Sequence, residues 1–94
     1  MIIAVDFDGT LYDGKNVNHS LIQRLKREQE SGNIVILWTC REGKRLADAV
    51  KTCNANGFKP NLVNQNAPMV IKRLGHDTRK IYADVYLDDK AVKV

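Results

Sequence analysis

The chain has 94 residues, of which 44% are hydrophobic and 28% charged, and its formal net charge is +4. This length fits one domain, and the composition is that of a soluble globular protein. No apolar run approaches the roughly 20 residues of a membrane-spanning helix, and the apolar N-terminus lacks the basic leader of a signal peptide. We therefore expect a single domain over residues 1–94, without a membrane segment.

The first predicted elements are a strand and a helix. Residues 2–5 form a short apolar run rich in β-branched side chains and end at acidic and glycine residues, which predicts a buried strand and then a loop. Asn18 is the predicted N-cap of the helix. Apolar residues recur after it at helical spacing, and Gly32 is the predicted helix terminator.

The rest of the chain continues this alternation. Residues 34–38 predict a second buried strand, and the helix that follows it is predicted to end at Gly57. A short third strand is predicted at 62–63, and Pro68 suits the first turn of a third helix. Residues 81–87 predict the fourth strand. The order predicts an α/β three-layer sandwich around a parallel sheet of about four strands.

Polar residues follow three of these strands. Asp6 and Asp8 come after the first, Thr39 after the second, and Asp88 and Asp89 after the fourth. Ligands of such sheets bind outside the carboxyl ends of the strands. We therefore expect these side chains to converge on one edge of the sheet.

The chemistry of that edge follows from its charge. Several carboxylates held together repel one another, and a bound cation removes the repulsion. Because all candidate ligands are oxygens, the ion expected is Mg²⁺. Asp6 and Asp8 alternate along an extended segment, so both can reach one reacting centre, one as nucleophile and the other as acid and base. Gly9 lets the backbone turn toward a phosphate.

The sequence DFDGT at residues 6–10, after an apolar strand, resembles motif one of the haloacid dehalogenase-like (HAD) superfamily of phosphotransferases. Thr39 resembles its second motif, a hydroxyl that hydrogen-bonds the transferring phosphoryl group. Lys80 is the candidate for the third-motif lysine, and the pair Asp88-Asp89 resembles the fourth, acidic motif. The resemblance covers essentially the whole chain and keeps the motif order.

The resemblance implies a role for each residue. Asp6 would be the nucleophile that forms an aspartyl phosphate, and Asp8 the general acid and base. Mg²⁺ would be held by the Asp6 carboxylate, the Asp8 carbonyl and the pair Asp88-Asp89, with Asp89 as the direct ligand. Lys80 would neutralise charge on Asp6 and the phosphate. An acid/base aspartate at the position of Asp8 is typical of phosphatases and phosphomutases within the superfamily.

Two features depart from the family pattern. Many relatives place the motif lysine further upstream than Lys80, which makes Lys72 the runner-up. Residues 90–94 are too few for the complete fifth strand that family members usually have.

Neither position at which relatives insert a cap domain has room for one here, so the resemblance implies a capless, open site. Residues 80–89 also resemble short phage and bacterial HAD proteins and the 5′(3′)-deoxyribonucleotidases. Candidate substrates are therefore phosphorylated small molecules, nucleotides and nucleic-acid ends, and a homodimer is a candidate assembly. Cys40 and Cys53 form no CxxC motif and indicate reduced thiols in a cytoplasmic protein.

Further candidates for substrate binding are Gly9, Thr10 and Arg41, together with the polar residues at 64–66. The expected activity is that of a magnesium-dependent phosphomonoester hydrolase. Two alternatives remain: a catalytically weak or inactive magnesium- and phosphate-binding interaction module of the same fold, and a receiver-like phosphorylation switch. Asp8 discriminates against the switch, because receiver domains carry their phosphorylated aspartate on a later strand and lack the DxD pattern after the first.

Overall fold

The computed structural model describes residues 1–94 as four strands and three helices in alternation. The elements are β1 (Ile2–Val5), α1 (His19–Glu30), β2 (Ile34–Leu37), α2 (Gly43–Ala55), β3 (Leu62–Val63), α3 (Pro68–Leu74) and β4 (Val85–Leu87). None of the three helices combines the length and the apolar character that crossing a membrane requires.

The four strands form one parallel sheet in the order β3-β2-β1-β4. The central pair is β1 and β2, in which Ile2 lies opposite Ile34 and Val5 opposite Leu37. Both strands are continuous apolar runs because both of their faces are covered. The predicted α/β three-layer sandwich with four parallel strands is confirmed.

The sheet separates two apolar clusters, and alternate residues of β1 face opposite sides. Ile3 and Val5 point into the larger cluster, which α1 and α2 cover, whereas Ile2 and Ala4 point into the smaller cluster under α3. The larger cluster has 11 buried residues: Ile3, Val5, Phe7, Leu11, Ile22, Leu25, Val35, Leu37, Ala49, Cys53 and Phe58. The smaller cluster has 7: Ile2, Ala4, Ile36, Ala67, Val70, Ile81 and Ala83.

The helix starts differ in how they are capped. Asn18 caps α1 as predicted, since its side-chain oxygen accepts a hydrogen bond from the Leu21 N–H at 3.1 Å. The N-cap of α2 is Glu42, whose side chain makes no capping hydrogen bond. The first turn of α2 therefore begins at the sheet edge without a capping side chain.

The fourth strand is shorter than predicted, because only residues 85–87 of the segment 81–87 are extended in the sheet. In residues 81–83, backbone groups form hydrogen bonds with side chains instead of with a neighbouring strand. The Tyr82 N–H donates to the Asn66 side chain at 2.7 Å, and the Tyr86 hydroxyl accepts from the Ala83 N–H and donates to the Ile81 carbonyl. The second strand ends at Leu37, one residue earlier than predicted, and residues 90–94 form no strand.

The segments that connect the elements are short where the site lies. Residues 10–18 form a loop with turns and isolated bridges, and α2, β3 and α3 occupy most of the segment from 39 to 80. Neither segment contains an additional folded unit above the carboxyl ends of the strands.

Candidate active site

The acidic residues after β1 and β4 lie together because these strands are neighbours in the sheet. The Asp6 N–H donates to the Leu87 carbonyl at 2.9 Å, which joins the two strand ends. One carboxylate oxygen from each of Asp6, Asp88 and Asp89 lies within 4.8 Å of the others. The structure thus brings three of the four predicted metal ligands together through their carboxylates.

This clustering changes the pKa of Asp6. Partial burial is the largest cause that raises the pKa of its carboxyl above 3.8, and the negative charges of Asp88, Asp89 and Asp8 raise it further. A hydrogen bond from the Phe7 backbone acts in the opposite direction. The cluster therefore accumulates negative charge that a hard cation would relieve.

Asp8 contributes to the site differently from the other aspartates. Its carboxylate is half-exposed and receives two hydrogen bonds from Arg41, from Nε at 2.8 Å and from Nη2 at 2.7 Å. This bidentate contact is the main cause that lowers the pKa of Asp8 below 3.8, with a smaller contribution from the charge of Arg45. The carbonyl oxygen of Asp8 accepts no backbone hydrogen bond, so it has free lone pairs.

Gly9 and Thr10 hold the acidic loop after β4. Gly9 has φ +83°, and its Cα lies so close to the Asp89 carboxylate that a Cβ would overlap it. The Asp89 N–H donates to Thr10 Oγ1 at 3.1 Å. The hydroxyl of Thr10, a predicted substrate contact, thus accepts a hydrogen bond from the acidic loop after β4.

Thr39 stands at the end of β2 with its backbone fixed by a residue that follows β3. Its N–H donates to Asn64 Oδ1 at 2.8 Å, and Asn64 adopts a left-handed conformation with φ +50°. Thr39 Oγ1 accepts the Arg41 N–H at 3.1 Å, which leaves the hydroxyl proton free to donate. Asn64 was predicted only as a substrate contact, and no pattern in the sequence indicates its pairing with Thr39.

Lys80 is not brought to the acidic cluster. It lines a surface pocket with Leu74, Thr78 and Tyr86, among others, and it forms no ion pair with any carboxylate. Lys72, on the exposed side of α3, forms none either. The cationic side chain that does contact a site aspartate is Arg41.

Asn66, a predicted substrate contact, is instead buried within the fold. Its amide group donates to Asp77 Oδ1 at 2.9 Å and to Thr78 Oγ1 at 3.1 Å, and its side-chain oxygen accepts the Tyr82 N–H. Its side chain therefore joins the loop after β3 to the segment that precedes β4.

Two basic residues that follow Arg41 along the chain were not predicted as site residues. Lys44 and Arg45 occupy the first turn of α2, and the Arg45 carbonyl accepts a hydrogen bond from Arg41 Nη1 at 3.3 Å. The sequence pattern that could have indicated them is the spacing of four residues between Arg41 and Arg45 at the start of a predicted helix, because residues at this spacing are neighbours on a helix surface.

A solved structure of a conserved protein from Bacteroides thetaiotaomicron is similar to this chain over nearly its whole length. The TM-score is 0.82 at 35% sequence identity, and the alignment covers 98% of this chain and 78% of that one. No family model and no curated protein matches the chain.

Proposed function

The chain belongs to the same family as the conserved Bacteroides thetaiotaomicron protein, and we propose that it is a magnesium-dependent phosphomonoester hydrolase of the HAD type. The observation that carries this proposal is the cluster of Asp6, Asp88 and Asp89, whose carboxylate oxygens lie within 4.8 Å of one another. Asp8 lies two residues beyond Asp6 and supplies a second carboxyl group for proton transfer.

The donor set fits Mg²⁺. It consists of the carboxylates of Asp6, Asp88 and Asp89 and the free carbonyl oxygen of Asp8, all hard oxygen ligands on adjacent backbone segments. When bound, the ion neutralises negative charge on these carboxylates and on a substrate phosphate. Asp89 would be a direct ligand of the ion, with Asp88 beside it.

The proposed reaction has two steps. The Asp6 carboxylate attacks phosphorus and displaces the substrate alcohol, whose oxygen takes a proton from Asp8. A water molecule then attacks the aspartyl phosphate, gives its proton to Asp8, and releases phosphate and free Asp6. Arg41 lowers the pKa of Asp8, so Asp8 must first take up the proton that it donates, either from the hydroxyl of a monoprotonated substrate phosphate or from solvent. The proton that water gives to Asp8 in the second step restores the protonated form for the next turnover.

Two further residues support this assignment. The free hydroxyl proton of Thr39 can donate to a phosphoryl oxygen, as the second motif requires. The backbone at Gly9 takes a positive φ of +83°, which gives the loop after Asp8 its turn. Thr10 contributes by holding the Asp89 loop.

One observation favours the alternative, a catalytically weak or inactive magnesium- and phosphate-binding module. Lys80, the candidate for the motif lysine, forms no ion pair with Asp6, and Lys72 forms none either. Without a lysine beside the nucleophile, less of the charge on the transferring phosphoryl group is neutralised, and turnover is expected to be slower.

The two possibilities are separated by one assay. The full chain is incubated with Mg²⁺ and phenyl phosphate, alongside Asp6→Asn and Asp8→Asn, while calorimetry measures Mg²⁺ binding. Metal-dependent release of phosphate that both changes abolish supports the hydrolase. Mg²⁺ binding without turnover on phenyl phosphate, nucleotides or sugar phosphates supports the module and overturns the hydrolase.

We also propose that the protein works in the cytoplasm. Both cysteines are free thiols, Cys40 exposed and Cys53 buried, which is typical of reducing compartments. Mass spectrometry of the protein from cells lysed in a thiol-blocking reagent tests this, because two blocked thiols are expected.

A further inference from the structure

Arg41 is held in one orientation beside Asp8. Its guanidinium makes the two hydrogen bonds to the Asp8 carboxylate, a third to the Arg45 carbonyl at 3.3 Å, and stacks on the Phe7 ring, with Cζ 4.8 Å from the ring centroid. The side chain is only 14% exposed. Three of its five N–H donors are engaged, so two remain free in a fixed position.

The first turn of α2 adds two more positive charges and no negative one. Lys44 and Arg45 are exposed, and neither forms an ion pair. Positive charge at a helix N-terminus is unfavourable, by about 0.3–1 kcal/mol per residue. A local choice that opposes helix stability is expected where function requires it. Glu42 and Asp48, the nearest acidic residues of this segment, do not pair with either side chain.

From this arrangement we infer that Arg41, Lys44 and Arg45 form an anion seat for the leaving group of the substrate. The inference rests on the proposed function, in which Asp8 protonates the leaving oxygen. Arg41 contacts both the Asp8 carboxylate and the Arg45 carbonyl, so it joins the first turn of α2 to the group that would protonate the leaving oxygen. The anion seat would therefore lie on the leaving-group side of the reacting phosphorus. The preferred substrate is a phosphomonoester whose leaving group carries a second phosphate or carboxylate.

The chemistry of the anion seat explains this preference. Arginine presents paired N–H donors that match carboxylate and phosphate oxygens, and a pre-oriented arginine loses little freedom when it binds. The three carboxylates of the acidic cluster would repel a second anion, whereas the anion seat attracts it. Opposite charges on the two sides of Asp8 thus orient a substrate that carries two anionic groups.

The test uses a matched pair of substrates, 4-carboxyphenyl phosphate and its neutral isostere 4-carbamoylphenyl phosphate, with the full chain and Mg²⁺. We expect kcat/KM to be about tenfold higher for the carboxylate than for the neutral substrate, because two or three weak charge contacts favour it. Lys44→Gln and Arg45→Gln should each lower this ratio about two- to fivefold. Arg27→Gln is the matched control, an exposed helical arginine in the last turn of α1, and should keep the ratio.

A second set of substrates distinguishes the chemical source of the second anion. A nucleoside 3′,5′-bisphosphate and a short 5′-phosphorylated oligonucleotide are compared with the nucleoside 5′-monophosphate. Preference for either over the monophosphate supports the anion seat, and the better of the two identifies the source. For the oligonucleotide, log kcat/KM should fall with log salt about 0.7 less steeply in Arg45→Gln than in the unchanged protein, because the variant neutralises one phosphate fewer.

Two negative outcomes remain distinct. Equal kcat/KM for the charged and neutral isosteres, or a ratio that Lys44→Gln and Arg45→Gln leave unchanged, overturns the anion seat while the hydrolase stands. Absence of Mg²⁺-dependent hydrolysis for every substrate overturns the proposed function and the anion seat with it.

Discussion

The carboxylate of Asp89 lies against the Cα of Gly9, at a position that any Cβ on residue 9 would occupy. Gly9 belongs to the loop after β1, and Asp89 follows β4, so this contact joins the two segments that carry the acidic cluster. Glycine is required here twice, for its φ of +83° and for the space that its missing side chain leaves.

Gly9→Ala is expected to weaken Mg²⁺ binding at least about tenfold, because the methyl group displaces the Asp89 carboxylate. Gly14→Ala is the matched control: Gly14 also has a positive φ, +101°, but a methyl group added there would meet nothing within 4 Å. Both changes strain the backbone by about 1–2 kcal/mol. Calorimetric titration should show weaker binding for Gly9→Ala alone, and equal affinities would contradict the role assigned to this contact.

Thr10→Val is expected to weaken Mg²⁺ binding about tenfold. Valine keeps the shape of threonine but removes the oxygen that accepts the Asp89 N–H at 3.1 Å, so the acidic loop loses a support. Thr10→Ser keeps the hydroxyl and should retain most of the affinity. If valine and serine bind Mg²⁺ alike, the hydroxyl does not position Asp89.

The ion pair between Asp8 and Arg41 should contribute to the free energy of unfolding at neutral pH but not in strong acid. Arg41 lowers the folded pKa of Asp8 below its unfolded value of 3.8, so the stabilisation is present above 3.8 and is lost as the pH falls through the lowered pKa. A double-mutant cycle of Asp8→Asn and Arg41→Gln should give a coupling free energy of about 0.2–1 kcal/mol at neutral pH. Urea unfolding at several pH values measures it, and a coupling that stays constant well below 3.8 would contradict this assignment.

Asn66→Ala is expected to lower the free energy of unfolding by about 1–3 kcal/mol. Asn66 is buried, and the change removes the acceptor of the Tyr82 N–H and the side-chain donor to Asp77 Oδ1. Asn54→Ala in α2 is the control, since its side chain is exposed. Chemical denaturation should show a much larger decrease in the free energy of unfolding for Asn66→Ala than for Asn54→Ala. Similar decreases would show that the hydrogen bonds of Asn66 do not stabilise the fold.

The two thiols should differ in reactivity. Burial raises the pKa of Cys53 to about 11, whereas Cys40 is exposed. Because the thiolate is the reactive form, the native protein should be labelled at one cysteine at about pH 8 and at both after unfolding. Cys40→Ser should abolish labelling of the native protein, and rapid labelling that persists in this variant would place Cys53 within reach of solvent.

The sheet was predictable because its strands carry their signal locally. Apolar runs at 2–5 and 34–38 are typical of strands buried on both faces, and the alternation with helices predicts a parallel order. The fourth strand was overestimated at 81–87, because its first residues are apolar yet their backbone groups bond to Asn66 and Tyr86. Such side-chain partners come from distant positions and leave no periodic pattern.

The acidic cluster was predictable for a related reason. Residues that follow parallel strands reach the same edge whatever the loops do, so Asp6, Asp88 and Asp89 could be assigned to one site from their positions in the chain. The position of Lys80 could not be inferred, since it depends on the path of an irregular segment. The structure places it in a pocket with no ion pair to the cluster.

The sequence by itself thus determined which strands exist and which carboxylates end at the sheet edge, because both follow from local patterns and the direction of parallel strands. Tertiary structure alone decided the partners of those groups. Arg41 is two residues from Thr39 but 33 from Asp8, and Thr10 is 79 residues from Asp89, which it holds. Contacts over such separations depend on how loops pack against one another, and a hydrogen bond forms only where that packing brings donor and acceptor within about 3 Å.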